Sequence, residues 1–201
     1  MTIIHEKNDL ARRRARTKVL GKAAELFGRY GFHAVSVRQI TREAGVAFQS
    51  MYNNFEGRET LAKEVLEWRH RGVIEELTAR IAAVEGVDAK LKTIFDWHEV
   101  WFTSEVFSGC LFERAIAEYG MSEPDVSDVA VRHKKALLNL FEEVLREEFD
   151  AGEAKRLASV ILMLIDGATA HARAFRDPRM ARQAWRAMQA LLAEARQRSA
   201  H

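Results

Sequence analysis

Apolar residues in the first third of the chain recur three and four positions apart, which is the spacing of a helix with one buried face. After Val19 they stand at Leu20, Ala23, Ala24, Phe27 and Tyr30. Gly31 follows at once and favours a left-handed cap, because glycine has no Cβ to clash in that conformation. The pattern therefore predicts a first helix that ends at Tyr30.

The next residues predict two short helices joined by a tight turn. In the segment SVRQ, the hydroxyl of Ser36 can accept from first-turn amides while the Gln39 side chain reaches back to the Ser36 amide, as in a capping box. This second helix should run to about Ala44, and Gly45 then lets the chain turn. A third helix fits residues 47–55, so the segment has a helix-turn-helix pattern.

The remaining two thirds of the chain also predict helices. The chain has only two prolines, and both stand where the start of a helix tolerates proline. The predicted helices occupy about residues 58–84, 89–103, 109–119, 124–150, 153–175 and 178–195. Together these patterns predict an all-α fold of about nine helices, in which a three-helix helix-turn-helix domain with a basic N-terminal arm (1–57) precedes a larger helical domain (58–201).

The third predicted helix carries different side chains on its two sides. On a helical wheel, Met51 and Phe55 share one side and can pack against the first two helices. The other side presents Phe48, Gln49, Tyr52 and Asn53. Amide side chains read base edges in the major groove, aromatic edges meet thymine methyl groups and a tyrosine hydroxyl reaches phosphate, so this side suits DNA. The alternative is that Phe48 and Tyr52 are core residues of a small bundle.

Charge is distributed unevenly along a chain whose net charge is only +2. Residues 1–58 carry 11 Lys or Arg against 5 Asp or Glu, whereas the remainder has a net charge of −4. A basic N-terminal region favours an anionic partner, with nucleic acid or an acidic membrane surface as the leading candidates. A solvated charged face explains the charge alone equally well.

Other features bear on the cellular compartment. The 201 residues contain no uninterrupted apolar run of about 18 residues, and the first 16 residues lack the apolar centre of a secretory signal. The single cysteine, Cys110, cannot form an internal disulfide, which agrees with a reducing compartment. We expect a cytoplasmic protein with no membrane partner.

One dense segment resembles a known family. The sequence AAELFGRYGFHAVSVRQITREAGVAFQSMYNNFEGRETL is similar to the N-terminal DNA-binding region of TetR-family transcriptional regulators of the TetR/AcrR type. The resemblance rests on the alanine pair and Leu-Phe of the first helix, the Tyr-Gly-Phe break, the Ser-Val-Arg-x-Ile start of the second helix, the Ala-Gly-Val turn, and the Tyr and Phe of the third. It implies a regulator, usually a repressor, that binds double-stranded DNA.

Carried over by position, the resemblance implies two kinds of DNA contact. Ser36 and Tyr52 would contact phosphates, and Arg58 would anchor the DNA backbone at the start of the fourth helix. The residues that would approach bases are Arg38, Phe48, Gln49 and Ser50, and Asn53 completes the predicted surface. The arginines ahead of the first helix would add minor-groove or phosphate contacts, or else form a disordered, solvated arm; they are Arg12, Arg13, Arg14 and Arg16.

Two positions depart from the family pattern. Family members usually have Ser or Thr where Ala47 stands, so the third helix lacks a side-chain cap worth about 1 kcal/mol. A basic or small residue is commoner than Phe48 at the next position. These departures predict a lower phosphate affinity and leave the preferred DNA sequence open.

The last two predicted helices carry apolar stripes that need partners. One stripe comprises Leu157, Ile161, Leu164, Ala168, Ala172 and Phe175, and the other comprises Met180, Ala184, Met188, Leu191 and Ala195. The family resemblance implies that these helices, 153–175 and 178–195, pair two chains into a homodimer through a four-helix interface. The alternative is that both stripes belong to the internal core.

The family resemblance also implies that a small-molecule effector binds among the later helices and releases the DNA. Candidate pocket residues are Trp97, Trp101, Phe102, Cys110 and Phe112, with Trp68 and Met163 as walls. Ordinary core packing explains the same aromatic residues. Cys110, near the start of a helix, is either a sensor of electrophiles or oxidants or an inert buried cysteine.

Two other classes of protein remain as alternatives. An enzyme is the first, although the chain has no GxSxG, P-loop, GxGxxG or HExxH motif, and we predict no catalytic, metal or cofactor site. A DNA-binding architectural protein without a ligand is the second. A cavity of a few hundred Å³ in the second half would favour the ligand-responsive regulator over the architectural protein.

Overall fold

The computed structural model describes residues 2–120 and 122–199, which form helices and connecting turns with no strand among them. The helices of this part of the chain are α1 (Thr2–Tyr30), α2 (Val37–Ala44), α3 (Phe48–Tyr52), α4 (Arg58–Ala82), α5 (Val87–Phe102), α6 (Leu111–Tyr119), α7 (Pro124–Leu145), α8 (Ala151–Phe175) and α9 (Met180–Ser199). The prediction of an all-α fold of about nine helices is confirmed.

The described residues pack into two compact units that alternate along the sequence. Unit 1 falls within residues 1–71 and 111–131, and unit 2 within residues 72–110 and 132–201. Helices α4 and α7 therefore begin in unit 1 and end in unit 2. The predicted boundary between residues 57 and 58 separates a DNA-binding region from the rest of the chain and does not describe these packing units. It stays a prediction.

In unit 1, α1 packs against α2, α3 and α6, and α2 packs against α3. The rings of Phe27 and Phe32 stack with their centroids 4.7 Å apart, and Tyr119 of α6 meets Phe32 edge-on at 5.3 Å. The turn between α1 and α2 contains Gly31, whose φ of 97° is the positive value that the sequence predicted for this break. Helix α1 thus packs against both helices of the helix-turn-helix, and α6 packs against α1 and the turn that leads into α2.

Helix α1 begins much earlier than the apolar pattern predicted. It starts at Thr2, and the arginines that we placed ahead of the first helix lie within it. The added turns have no apolar stripe, but Arg, Lys and Ala favour helix, and Arg16 pairs with Glu64 of α4 and lies 5.5 Å above the centroid of the Phe55 ring. The alternative of a disordered arm is therefore wrong for residues 12–16.

The core of unit 2 lies between α5, α8 and α9, which pack against one another, and it includes buried residues from the C-terminal parts of α4 and α7. It takes up most of the two apolar stripes predicted on α8 and α9, because Leu157, Ile161 and Met188 are fully buried within the chain. Our use of these stripes to predict a dimer interface is therefore wrong for most of their residues. Phe175 is the clear exception, since 70% of it is exposed.

Among the described residues, α8 is the one helix that is long and apolar enough to cross a membrane by length and composition alone. In the structure its buried side packs against α5 and α9. Lys134 of α7 also forms an ion pair with Asp166 in the middle of α8. These contacts are those of a core helix.

Candidate nucleic-acid interface

Helices α2 and α3 are set at a fixed angle by the caps at the ends of α2. The Ser36 side chain accepts a hydrogen bond from the Gln39 amide at 3.1 Å, and Gly45 ends the helix with φ 65° and ψ 37°. This left-handed conformation favours glycine, because any Cβ would strain it. The observed half of the predicted capping box is the bond from the Gln39 amide to Ser36, and the Gln39 side chain donates through Nε2 to Glu43 at 3.1 Å.

Helix α3 separates buried from exposed side chains as the sequence predicted. Met51 and Phe55 are buried, whereas 40% of Phe48 and 51% of Tyr52 are exposed, and Gln49 is exposed as well. The two exposed rings meet edge to face with their centroids 5.3 Å apart. The alternative that Phe48 and Tyr52 belong to a small hydrophobic core is therefore wrong.

Arg38 of α2 adds a cation to the exposed side of α3. Its guanidinium lies 5.4 Å from the centroid of the Phe48 ring, a distance typical of a cation–π contact. Arg38 is itself exposed, so its donors can still reach a ligand. Together with Gln49 and Tyr52, this pair forms a surface that we call the recognition surface: Arg38, Phe48, Gln49, Tyr52 and Asn53. The pattern of α3 alone could not reveal the contact between the two helices.

The other residues predicted to contact DNA differ in their exposure and in the hydrogen bonds that they form within the chain. Ser36 is exposed, and its hydroxyl hydrogen can donate while the oxygen caps α2. Ser50 is half-buried, and its carbonyl accepts from the Asn54 amide at 2.6 Å. Arg58 is half-buried and donates to the carbonyl of Phe32. Its DNA contact stays a prediction, but the structure gives its guanidinium an internal partner that the family resemblance did not suggest.

Around Arg58, the end of α6 holds the turn between α1 and α2. The carboxylate of Glu118 accepts from the His33 amide at 3.1 Å, and the carbonyl of Glu118 lies 3.1 Å from the His33 ring nitrogen Nε2. Tyr119 is buried beside them, and burial raises the pKa of its hydroxyl to about 12, so it is neutral at physiological pH. This turn is therefore fixed by polar contacts as well as by ring stacking.

The N-terminal half of α1, whose arginines were among the predicted DNA contacts, borders the end of α3, and the sequence did not predict this contact between the two helices. Arg12 donates through Nη2 to the carbonyl of Asn53 at 2.8 Å and through Nε to the side-chain oxygen of Asn54 at 3.2 Å. Beside these contacts lies a cleft of about 300 Å³ lined by Arg12, Arg13, Arg16 and Asn54. The run of arginines was the only signal for it in the sequence.

The residues predicted to line an effector pocket are only partly brought together. Trp97, Trp101 and Phe102 of α5 form an aromatic cluster with His98 and with Phe107, which follows the helix. The ring centroids of Trp101 and Phe107 are 5.0 Å apart. Burial lowers the pKa of His98 to about 4, and its Nδ1 lies 2.8 Å from the Ile94 carbonyl. We call these five residues the α5 cluster.

The four remaining pocket candidates lie elsewhere. Trp68 is half-buried in unit 1, where its ring edge lies 4.0 Å from the place that a Cβ on Gly21 would occupy, and Phe112 is buried in the same unit. Cys110 is half-buried in unit 2. Met163 lies on the outside of α8 with 64% of it exposed, which does not suit a wall of an enclosed pocket within one chain. Within residues 2–120 and 122–199, no group of three or more His, Cys, Asp or Glu could hold a metal ion.

A helix-turn-helix with an exposed surface of aromatic, amide and guanidinium groups defines the class of the protein, an all-α DNA-binding protein. Residues 19–65 match the family model described as bacterial regulatory proteins, tetR family. Residues 87–188 match the model of the tetracyclin repressor-like C-terminal domain. The two matches leave only the ends and a short middle segment uncovered, and the chain belongs to the TetR family.

Individual relatives agree with the family models. A TetR-family transcriptional regulator from Streptomyces coelicolor, SCO4454, is 27% identical and superposes with a TM-score of 0.83 over 91% of this chain and 96% of its own. The HTH-type transcriptional regulator UidR of Escherichia coli (strain K12) is 22% identical over 138 residues, which are 69% of this chain and 68% of UidR. The HTH-type transcriptional regulator LmrA of Bacillus subtilis (strain 168) is 25% identical over 159 residues, 76% of this chain and 83% of LmrA.

The chain is thus a DNA-binding transcriptional regulator with the helix-turn-helix that the sequence predicted. The proteins it resembles are regulators rather than enzymes, so the prediction that it is not an enzyme is confirmed and the enzyme alternative is wrong. The roles of individual residues remain to be argued from the geometry.

Proposed function

We propose that this regulator is a cytoplasmic repressor that binds a near-palindromic operator as a homodimer and leaves it when a small-molecule effector binds. The observation that carries the DNA part is the recognition surface, where two exposed aromatic rings stand among amide and guanidinium groups. Large apolar side chains gain by burial, so their exposure here favours a partner. The basic N-terminal region favours an anionic one.

Within this surface we assign different roles to neighbouring residues. Arg38 and Gln49 carry donors and acceptors that suit base edges, and Phe48 supplies an apolar edge for a thymine methyl group. Tyr52 and Ser36 offer hydroxyl groups to phosphates, and the half-buried Ser50 and the exposed Asn53 lie three residues apart on one border of the exposed side of α3. Base contacts determine which sequence is preferred, whereas phosphate contacts strengthen binding to any sequence.

The homodimer is supported by the outer side of α8 rather than by the buried stripes. Met163 and Gly167 are exposed on this side, and Phe175 is exposed at its end. Nothing lies within 4 Å of the place that a Cβ on Gly167 would occupy, so another helix can approach closely there. With α9 beside it, this side can form a two-fold four-helix interface. Light scattering at micromolar concentration should give the mass of two chains, and the mass of one chain would contradict the proposal.

A homodimer explains how a short recognition helix achieves selectivity. Two copies of α3 separated by about 34 to 36 Å would meet successive major grooves on one side of the duplex, so the operator should be a near-palindrome. An effector that binds preferentially to a shape with another separation would release the DNA, with a typical coupling of about 1 to 3 kcal/mol. The half-buried Trp97, Trp101 and Phe107 of the α5 cluster offer an apolar lining for such an effector.

The residue roles can be tested with duplexes that the purified protein retains from genomic DNA, compared with random duplexes. Tyr52→Ala should weaken binding to both by a similar factor, because a phosphate contact carries no sequence information. Gln49→Ala and Arg38→Ala should weaken binding to the selected duplex more, by about 1 to 3 kcal/mol, and change which sequences are retained. Fluorescence anisotropy measures the affinities.

Tyr30→Ala is a matched control, since Tyr30 is exposed to nearly the same extent as Tyr52 but lies at the end of α1. It should leave both affinities unchanged. Equal losses for Tyr52, Gln49 and Arg38 on selected and random duplexes would contradict the assigned roles. A wild-type protein that retains no DNA fragment selectively would contradict the proposed function itself.

A further inference from the structure

The C-terminal end of α6 holds the turn between α1 and α2 through two hydrogen bonds to one residue. The carboxylate of Glu118 accepts from the backbone amide of His33 at 3.1 Å. The backbone carbonyl of Glu118 lies 3.1 Å from Nε2 of the His33 ring, and because a carbonyl can only accept, this nitrogen carries the hydrogen. We call these two contacts between Glu118 and His33 the α6 clasp. Both residues belong to unit 1.

The α6 clasp is closely packed. A Cβ on Gly31 would lie 2.8 Å from Oε1 of Glu118 and 3.3 Å from Nη1 of Arg114, so these side chains lie directly over the Gly31 backbone. Arg114 also pairs with Glu118 at 3.6 Å and helps to hold the carboxylate in place. The buried ring of Tyr119 lies 4.9 Å from the His33 ring, measured between centroids. The carboxylate of Glu118 is therefore fixed against the turn by its neighbours.

The α6 clasp is separated from α2 by very few residues. His33 stands three residues before Ser36, whose side chain caps α2, and Val35 between them is buried. Helix α2 in turn packs against α3, which carries most of the recognition surface. A change in the position of His33 is therefore passed to α2 through a short, partly buried segment, and from α2 to α3.

Resting on the proposed function, we propose that Glu118 is a positioning residue for DNA binding, because by holding His33 it fixes the orientation of α2 and α3 that fits the duplex. Without this contact the turn samples several orientations. The apparent affinity then falls with the fraction of molecules that have the competent orientation. Glu118 thereby controls DNA affinity from a helix that lies outside the helix-turn-helix.

Charge and geometry predict opposite effects when Glu118 is replaced. DNA is a polyanion, so the removal of a nearby carboxylate should by itself strengthen binding or leave it unchanged. Loss of the hydrogen bond to His33 should instead weaken binding to the selected duplex by about tenfold, which corresponds to about 1.4 kcal/mol. The order of preferred sequences should not change, because no residue assigned to bases is replaced.

The test compares three substitutions of Glu118 in the full chain by fluorescence anisotropy. Glu118→Ala removes the acceptor and should show the full loss of affinity. Glu118→Asp keeps the charge but is one methylene shorter, so it should also lose most of the affinity. Glu118→Gln removes the charge but keeps an acceptor oxygen at the same reach, so it should retain most of the affinity. Hydrogen exchange of the His33 amide should become about tenfold faster in Glu118→Ala and Glu118→Asp, but not in Glu118→Gln.

Glu123→Gln is the matched control for charge, because Glu123 is an exposed carboxylate just ahead of α7. It should leave the DNA affinity and the exchange of the His33 amide unchanged. Circular dichroism should give wild-type helicity for every variant, and if Glu118→Ala is unfolded, the comparison of Glu118→Asp with Glu118→Gln decides.

Two outcomes would overturn the inference. One is wild-type affinity for Glu118→Ala and Glu118→Asp, and the other is an equal loss for Glu118→Asp and Glu118→Gln. Neither outcome concerns the proposed function, which is contradicted only if the wild-type protein retains no DNA fragment selectively.

Discussion

The recognition surface and the α5 cluster are both rich in aromatic residues, but these residues are exposed in the first and buried or half-buried in the second. On α3, a helix of five residues, Phe48 and Tyr52 are exposed, their rings contact each other, and Arg38 lies over the Phe48 ring. On α5, a helix of 16 residues, Phe102 and His98 are buried and their neighbours are half-buried. The same side-chain chemistry is displayed in one region and packed in the other.

This difference shows that aromatic content alone does not locate a binding surface. A helix as short as α3 has only one turn that can be buried. Met51 and the following Phe55 are the side chains of this segment that are buried in unit 1. The aromatics left over on α3 are free for a partner. On α5 the aromatics pack against one another, so their first contribution is to stability, and any role with a ligand has to be compatible with that packing.

The largest expected effect is the difference in unfolding free energy lost when an aromatic residue is replaced in each of the two regions. Phe102→Ala should lower the free energy of unfolding by about 3 to 5 kcal/mol, because it removes a buried ring and leaves a cavity. Phe48→Ala removes the same side chain from an exposed position and should cost less than about 1 kcal/mol. Urea denaturation followed by circular dichroism gives both values, and equal losses would show that the two regions do not differ in the way proposed.

Acid should affect the α5 cluster through His98. The folded pKa of about 4 lies below the unfolded value of about 6.5, so the unfolded chain binds the proton more readily between these values. This contribution to stability is complete above about pH 6.5 and is lost as the pH falls towards 4. Between pH 7 and pH 5 the loss should be about 2 kcal/mol.

The variant His98→Gln isolates this effect, since glutamine does not titrate. Its free energy of unfolding at pH 7 should be lower than that of the wild type, but it should fall less between pH 7 and pH 5. Denaturation curves at the two pH values measure the difference. If both proteins lose the same stability over this range, His98 is not the group responsible.

The smallest expected effect concerns the N-termini of α3 and α5, neither of which has a side-chain cap. Ala47 precedes α3 with extended φ and ψ, so Ala47→Ser can supply the missing hydrogen bond and should stabilise the protein by about 1 kcal/mol. Gly86 precedes α5 with φ 81°. Gly86→Ser should therefore destabilise by at least about 1 kcal/mol, because a Cβ strains that conformation. A gain at both positions in thermal denaturation would contradict this distinction.

Sequence reasoning succeeded where local pattern determines the structure. The three- and four-residue spacing of apolar positions, Gly31 and Gly45 at the turns, and Ser36 ahead of α2 were sufficient for the helix-turn-helix. The two sides of α3 followed from the same periodicity, because a one-turn helix can bury only one side. The identity of the family rested on the same short segment.

Features that depend on contacts between distant residues could not be read from the sequence. Arg12 is 41 residues from the carbonyl it binds, and Arg58 is 26 residues from Phe32, so neither pair leaves a periodic signal. The stripes on α8 and α9 indicated burial correctly but could not show whether the partner was the same chain or a second one. Met163 lies outside the apolar stripe of α8 and is exposed, so its apolar side chain alone, taken without its position in that stripe, did not indicate its surroundings.

Arg12 fastens the N-terminal half of α1 to the C-terminal end of α3, the helix that we propose faces DNA. A substitution of Arg12 should therefore alter how long the regulator stays on the proposed operator, although Arg12 is not among the residues that we assign to bases.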